Sequence, residues 1–514
     1  MKKVRKVWSL IMALVMMLAL GITAQAADTY TITVDGGTST VSHTYEAYQV
    51  FTGTLSTEGV LSDVQWGTGV NSATLLDALK ADATVGPMFT SCASAADVAK
   101  AMDGILNDST EAKAIAQVVG SNLSATVAGT ATGAGSVQIS NLSAGYYMVK
   151  DKDDTQDGSS EGYTRFILKV AKDVTVTPKR TVPTVTKTVD GTNDSTGTIQ
   201  NGEKSADYDI GDSIPFTLTG TLPTNYADYS TYAYTFHDAM SAGLTFDPAS
   251  LKVYVDGTQI TTGYTVVTTG LTDGCTFEVQ FPNLKTIASI NADSKIVVTY
   301  SATLNSGAVL TSAGNPNTAT LEYSNNPNAG GLGDTGKTPG STTTVFTYQV
   351  IINKVDQNNA PLSGAAFTLE KFIKATNSWT PVTVVTNTPD TIFTFSGLDA
   401  GLYRLTETTT PAGYNTIDPV YFTITAVTGD TEVTSLTAQQ TDSAGNPLAT
   451  GIVATFTTST ADGSVSTNIV NNTGATLPST GGIGTTVIYI AGGVLMAGAA
   501  ILFVIKKKQS GHEN

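Results

Sequence analysis

The sequence predicts a mainly β protein, built as tandem Ig-like β-sandwiches between an export signal and a membrane-spanning helix. Three observations carry this expectation. Runs such as "TYTITV" (29–34), "YTVVTT" (264–269), "KIVVTYSATL" (295–304) and "YFTITAV" (421–427) alternate apolar and polar residues between Gly, Asn and Asp turns. That period of two marks strands with one face buried, and many short strands of this kind mark sandwiches. The chain also opens on a basic, then apolar, then small-residue segment, and closes on an apolar stretch followed by lysines.

At the N-terminus, Lys2, Lys3, Arg5 and Lys6 precede an apolar run over residues 8–20. Ala24, Gln25 and Ala26 then supply a small-x-small site, so residues 1–26 are expected to be a signal peptide cut between Ala26 and Ala27. At the other end, residues 483–505 are apolar or small and about long enough to cross a bilayer. Lys506, Lys507 and Lys508 follow at once, which places the tail in the cytoplasm and the bulk outside. The intervening length suits about three domains, expected at 27–179, 180–344 and 345–476, ahead of a terminal segment at 477–514. The first domain carries the one helical interruption. "ATLLDALKA" (73–81), "AADVAKAMDGIL" (95–106) and "EAKAIAQVV" (111–119) have helix-spaced apolar residues, so helices are expected as insertions there.

Composition excludes several functions. Without the two ends the chain holds 20 basic against 42 acidic residues, a net charge near −22. Such a body is soluble and repels nucleic acid and anionic membranes. The exported part has two histidines, His43 and His237, and two cysteines, Cys92 and Cys275, in different expected domains. No nucleophile signature, metal-ligand spacing or phosphate loop is present, so the chain is not expected to be an enzyme or to hold a cofactor or metal. An extracellular β protein without intradomain disulfides must draw its durability from another source.

The motif Leu477-Pro478-Ser479-Thr480-Gly481 stands directly before the apolar span and the lysines. Proline fixes an extended, accessible dipeptide, and Gly481 lets an enzyme approach the scissile carbonyl. The three parts in this order resemble the LPxTG cell-wall sorting signal of Gram-positive surface proteins. The resemblance implies cleavage by a sortase between Thr480 and Gly481, transfer of the Thr480 acyl group to an amine, and attachment to peptidoglycan.

Strand parity then sorts the lysines by face. In "PTVTKTV" (183–189), Lys187 shares a face with Val185 and Val189, and in "QVIINKVD" (349–356), Lys354 shares one with Val350 and Ile352. Both are expected to point into a core at the first strand of a domain. In "VTVTPK" (174–179), Lys179 lies with Thr175 and Thr177 and should be exposed. A buried ammonium is pushed towards its neutral, nucleophilic form, and it needs an acid and an electrophile nearby. Glu407 lies on the face of Tyr403 and Leu405, and Asn471 on that of Val465 and Ile469, with Asn472 opposite. Asp238 lines up with Tyr232, Tyr234 and Phe236, and Asn317 with Ala319, Leu321 and Tyr323. A buried carboxylic acid can donate to an amide oxygen while a neutral lysine attacks its carbon. Lys187–Asn317 and Lys354–Asn471 isopeptide bonds are therefore expected, promoted by Asp238 and Glu407 acting autocatalytically. Asn315 and Asn472 remain the alternative partners, and plain polar clusters the alternative chemistry.

"YRLTETTTPAGY" (403–414) resembles the E box of Gram-positive pilins, "INKVDQNNAPLSGAAFTLEK" (352–371) the opening strands of a CnaB-type domain, and "VTVTPKR" (174–180) the pilin motif, with Thr177 where the family has Tyr. On these segments the chain resembles a sortase-assembled backbone (shaft) pilin of the SpaA type. The resemblance implies that Lys179 of one subunit accepts the Thr480 carbonyl of the next. It also implies a CnaA-like middle domain, a CnaB-like last domain, each with an internal bond, and as partners identical subunits, ancillary pilins and host surface ligands. A monomeric LPxTG-anchored adhesin and a tip or base pilin are the competing readings. Within the first domain, "LSAGYYMVKD" (142–151) echoes "LDAGLYRLTE" (398–407), which puts Asp151 at the place of Glu407. No lysine occurs between Ala27 and Leu79, so no third bond is expected, and Asp151 should be an ordinary hydrogen-bonding or exposed residue.

Overall fold

The computed structural model of the chain describes residues 28–106, 109–178, 181–328, 333–382, 385–387, 390–474 and 483–509. The strands up to Val176 form a three-stranded and a five-stranded sheet, those from Val185 to Phe346 a six-stranded and a seven-stranded sheet, and those from Tyr348 two five-stranded sheets. Apolar cores follow the same partition. Two clusters hold Ile32 to Val170, one holds Val189 to Val345 and one holds Phe346 to Ile469.

Helices Ser72–Ala81, Ala95–Ala101 and Thr110–Gly120 lie where the sequence period changes to that of a helix, joined by a short turn of helix at Gly86–Phe89. Their starts are written locally. The Ser94 hydroxyl accepts from the Asp97 amide while the Asp97 carboxylate accepts from the Ser94 amide, which satisfies two of the open donors of the first turn. Leu75, Leu79, Val98, Ile115 and Val119 then pack on Val50, Phe51 and Met148 of the five-stranded sheet.

In the middle sandwich, the strand Val185–Asn193 joins Ser213–Gly220 and then Ile296–Leu304 in one sheet. Tyr234–Met240 and Asn315–Ser324 are antiparallel neighbours in the facing sheet. In the last sandwich, the first strand, Tyr348–Asp356, lies parallel to the last, Ser464–Asn471, while Gly401–Thr409 belongs to the opposite sheet. Beyond it the helix Ile483–Gln509 contains an 18-residue stretch, Tyr489–Lys506, long and apolar enough to cross a membrane. Ala26, Ala27, Lys179 and the motif Leu477, Pro478, Ser479, Thr480 and Gly481 lie outside the described residues.

Candidate functional site

Alternation along Val185–Asn193 buries Lys187 and Val189 and leaves Thr186 exposed. Lys187 thereby enters the middle core with no exposed surface. Asp238 pairs with Ala319, and Met240 with Asn317, so Asp238 and Asn317 are diagonal neighbours on the inner face of the opposite sheet. Both are fully buried. The Lys187 ammonium contacts Asp238 Oδ2 and lies 2.5 Å from the Tyr300 hydroxyl. That hydroxyl donates to Asp238 Oδ2 at 2.8 Å and accepts from Asn317 Nδ2 at 3.0 Å. Tyr300 thus touches all three groups. Phe216 and Tyr300 present their rings to the lysine at 5.3 and 5.2 Å.

Burial sets the protonation of this cluster. It lowers the Lys187 pKa against the pull of Asp238, and it raises that of Asp238 against the pull of Lys187. Both shifts run towards the neutral amine and the neutral acid. Asp238 Oδ1 and Asn317 Oδ1 are buried without a hydrogen-bond partner among the described residues. Asn315, the sequence alternative, is instead fully engaged with the backbone of Val309 and Val345.

The last domain brings together Lys354, Glu407 and Asn471 by another route. Lys354 pairs with Ile469 across the parallel strands, so Asn471, two residues on, is its diagonal neighbour on the same face. Lys354 and Asn471 are fully buried and Glu407 is 6% exposed. Asn471 Nδ2 donates to Glu407 Oε1 at 2.8 Å, while Glu407 Oε2 accepts from the Thr410 hydroxyl and the Ile417 amide. The lysine donates to the carbonyls of Val355 and Ile469, at 2.8 and 3.1 Å. Burial lowers its pKa, and Glu407 opposes that shift. Asn471 Oδ1 has no hydrogen-bond partner among the described residues, and Asn472 is exposed. The middle cluster therefore spans two sheets, whereas in the last domain the lysine and asparagine share one sheet.

In the first domain Asp151 is fully buried, which excludes the exposed alternative for this residue. It accepts from the Thr164 amide at 2.7 Å and from the Thr164 hydroxyl at 3.0 Å, and it lies 2.7 Å from His43 Nδ1. His43 Nε2 lies 3.0 Å from Glu161. The partner of Asp151 is thus an imidazole from the neighbouring strand of its own sheet, whereas Asp238 and Glu407 meet a lysine from the facing sheet.

A further buried lysine plays a different part. Lys371 is 3% exposed, but it sits between the middle and last domains, 2.9 Å from Asp194, 2.7 Å from Asp209 and 2.6 Å from Asp399. Although burial works against its charge, these carboxylates raise its pKa, the reverse of Lys187. Lys371 is an ion-pair anchor for the joint, not a nucleophile. The acids around it are crowded. Burial, with Asp209 second, raises the Asp212 carboxyl from 3.8 to about 6, and burial raises Asp207 and Asp399 as well. An acid with a raised folded pKa binds more protons folded than unfolded, so its contribution to stability is present at low pH and is lost as pH rises from about 4 through about 6. Asp212→Asn keeps an acceptor for the Asp209 amide. It is expected to stabilise the middle domain by about 1 kcal/mol at pH 7, after discounting for partial exposure, and by nothing near pH 3. Thermal unfolding of both proteins across that range checks this.

Comparisons with known proteins align with these segments. Residues 348–440 match the family model of the SpaA prealbumin-like fold domain, and residues 210–327 that of the Gram-positive pilin backbone subunit 2, Cna-B-like domain. The middle segment, expected to be CnaA-like, thus matches a model described as Cna-B-like. Residues 469–510 match the LPXTG cell wall anchor motif. The trypsin-resistant surface T6 protein of Streptococcus pyogenes serotype M6 is 27% identical over 394 residues, which span 65% of this chain and 70% of that protein. The solved T6 backbone pilin of that serotype, described as a modular three-domain structure, superposes with a TM-score of 0.52 at 19% identity. That superposition covers 87% of this chain and 99% of the other.

Proposed function

We propose that this chain, a wall-anchored surface protein whose matched segments are those of a Gram-positive pilin backbone subunit with an LPXTG anchor, is the repeating shaft subunit of a covalent pilus. A sortase cleaves after Thr480 and transfers its acyl group to Lys179 of the next subunit. The last Thr480 is passed to peptidoglycan, and ancillary pilins and host surface ligands meet the finished fibre.

Two internal isopeptide bonds harden each subunit. The neutral Lys187 amine attacks Asn317 Cγ while protonated Asp238 donates to the amide oxygen. The Nζ–Cγ bond forms, the Cγ–Nδ2 bond breaks, and a proton from the amine leaves with Nδ2 as ammonia. Tyr300 holds acid, amine and amide together. The last domain repeats the scheme with Lys354, Glu407 and Asn471. Turning the Asn471 amide over, a choice open to any asparagine placed without hydrogens, turns its orphaned Oδ1 towards the Glu407 carboxyl. The observation that carries the reading is a fully buried lysine pushed towards its neutral form beside an acid pushed towards its protonated form.

Intact-mass measurement tests it. The chain should weigh less than its sequence by one ammonia per bond, and the full sequence mass would reduce both clusters to polar packing. Tyr300→Phe removes the hydroxyl that all three middle groups contact. This variant is expected to slow bond formation roughly tenfold or more. Peptide mapping soon after synthesis should find molecules lacking only the Lys187–Asn317 link.

A further inference from the structure

Sequence spacing conceals a cluster on the outer face of the seven-stranded sheet. His237 follows the opposite parity from Asp238, yet it is only 7% exposed, as is Glu278 on the paired strand Phe277–Phe281. The loop that precedes this strand brings Asp273 and Cys275 over the imidazole. His237 Nδ1 lies 2.8 Å from Asp273 Oδ2 and 3.1 Å from Glu278 Oε1, and the Cys275 sulfur lies 3.2 Å from the same Asp273 oxygen. Ligand atoms of His237, Asp273 and Cys275 all fall within 4.8 Å of one another.

We propose that His237 Nδ1, Asp273 and Cys275 form a binding site for a zinc ion, with a water in the fourth position. One nitrogen, one sulfur and one carboxylate oxygen, completed by a water, make a set suited to tetrahedral Zn²⁺, and soft thiolate with imidazole disfavours calcium and magnesium. Tetrahedral zinc holds its ligand atoms about 3.3–3.8 Å apart. The 2.8 Å between His237 Nδ1 and Asp273 Oδ2 and the 3.2 Å between that oxygen and the Cys275 sulfur therefore need an opening of roughly half an ångström. The second shell is already in place. His237 Nε2 is buried without a well-aligned hydrogen bond, and Glu322 Oε2 faces it at 3.4 Å. Nδ1 ligation fixes the proton on Nε2, which then donates to that carboxylate, the arrangement that orients metal-bound imidazoles. Lys337 holds Glu322 from the other side at 3.3 Å. Without a metal, three carboxylates converge on one imidazole and one lysine. With it, the loop carrying Asp273 and Cys275 is clipped to the strand that bears Asp238.

The test is a titration of the detergent-solubilised full chain, freed of metal on chelating resin, with Co²⁺ as the probe and Zn²⁺ as competitor. One equivalent of Co²⁺ should give a thiolate charge-transfer band and tetrahedral visible absorption, both erased by Zn²⁺. Cys275→Ser should remove the charge-transfer band, and His237→Gln should weaken binding by a hundredfold or more. Glu322→Gln touches no ligand and is expected to weaken binding roughly 10- to 100-fold. Thermal unfolding is recorded for each variant, so that loss of fold is not mistaken for loss of ligand. A spectrum without the thiolate band, or equal Co²⁺ affinity in folded Glu322→Gln and parent protein, overturns the assignment.

Discussion

Lys179→Ala is expected to abolish the polymer. Cell-wall extracts boiled in detergent should show a ladder of covalent multimers for the parent chain and monomer alone for the variant. Lys179 follows the strand Val174–Val176, whose valines pack on the first core while Thr175 and then Thr177 face solvent. The strand also pairs in parallel with Tyr30–Asp35, so the residues just before Lys179 are held to a sheet. Lys187→Ala, eight residues on, separates the two jobs: it should leave the ladder intact while removing one ammonia's worth of mass deficit. A ladder that survives Lys179→Ala would assign the intermolecular link to another lysine.

Much of this was legible because a strand has a period of two and a core has one side. Parity alone placed Lys187, Asp238 and Asn317 inward, and likewise Lys354, Glu407 and Asn471. It also preferred Asn471 to Asn472, which the structure leaves exposed. Lys371 follows the same rule, sharing its face with Phe367 and Leu369 along "AFTLEK" (366–371). Other features carry no local signal. Tyr300 reads as one more inward aromatic in Ile296–Leu304, and its role depends on which groups the facing sheet places against its hydroxyl. His237 reads as outward, and only the loop folding back over the sheet buries it. Asp194, Asp209 and Asp399 belong to separate turns and strand ends that meet around Lys371 once two domains dock. Periodicity reports a face; it is silent about what arrives from another element.

Removing the promoting acids should change how the subunit bears load. Asp238→Ala and Glu407→Ala leave both lysines and both asparagines in place but take away the proton donors, so each is expected to restore one ammonia to the mass. Each link closes a loop of more than a hundred residues. By analogy with a disulfide of that length, its loss should cost about 5 kcal/mol. For domains of this size that corresponds to a drop in melting temperature of roughly 15 °C. The mechanical effect is larger. In the proposed fibre, tension entering near Lys179 and leaving near Thr480 should pass through Lys187 into Asn317 and through Lys354 into Asn471. Residues 188–316 and 355–470 then carry none of it. Without the links those segments can unravel, releasing roughly 400 Å of chain per domain. Single-molecule pulling between positions 179 and 480 should show no such steps in the parent and two in the double variant. The first domain precedes Lys179 and would lie outside that path, and its buried Asp151 is paired with a histidine instead of a lysine. Identical force–extension curves for parent and double variant would show that the two clusters bear no load.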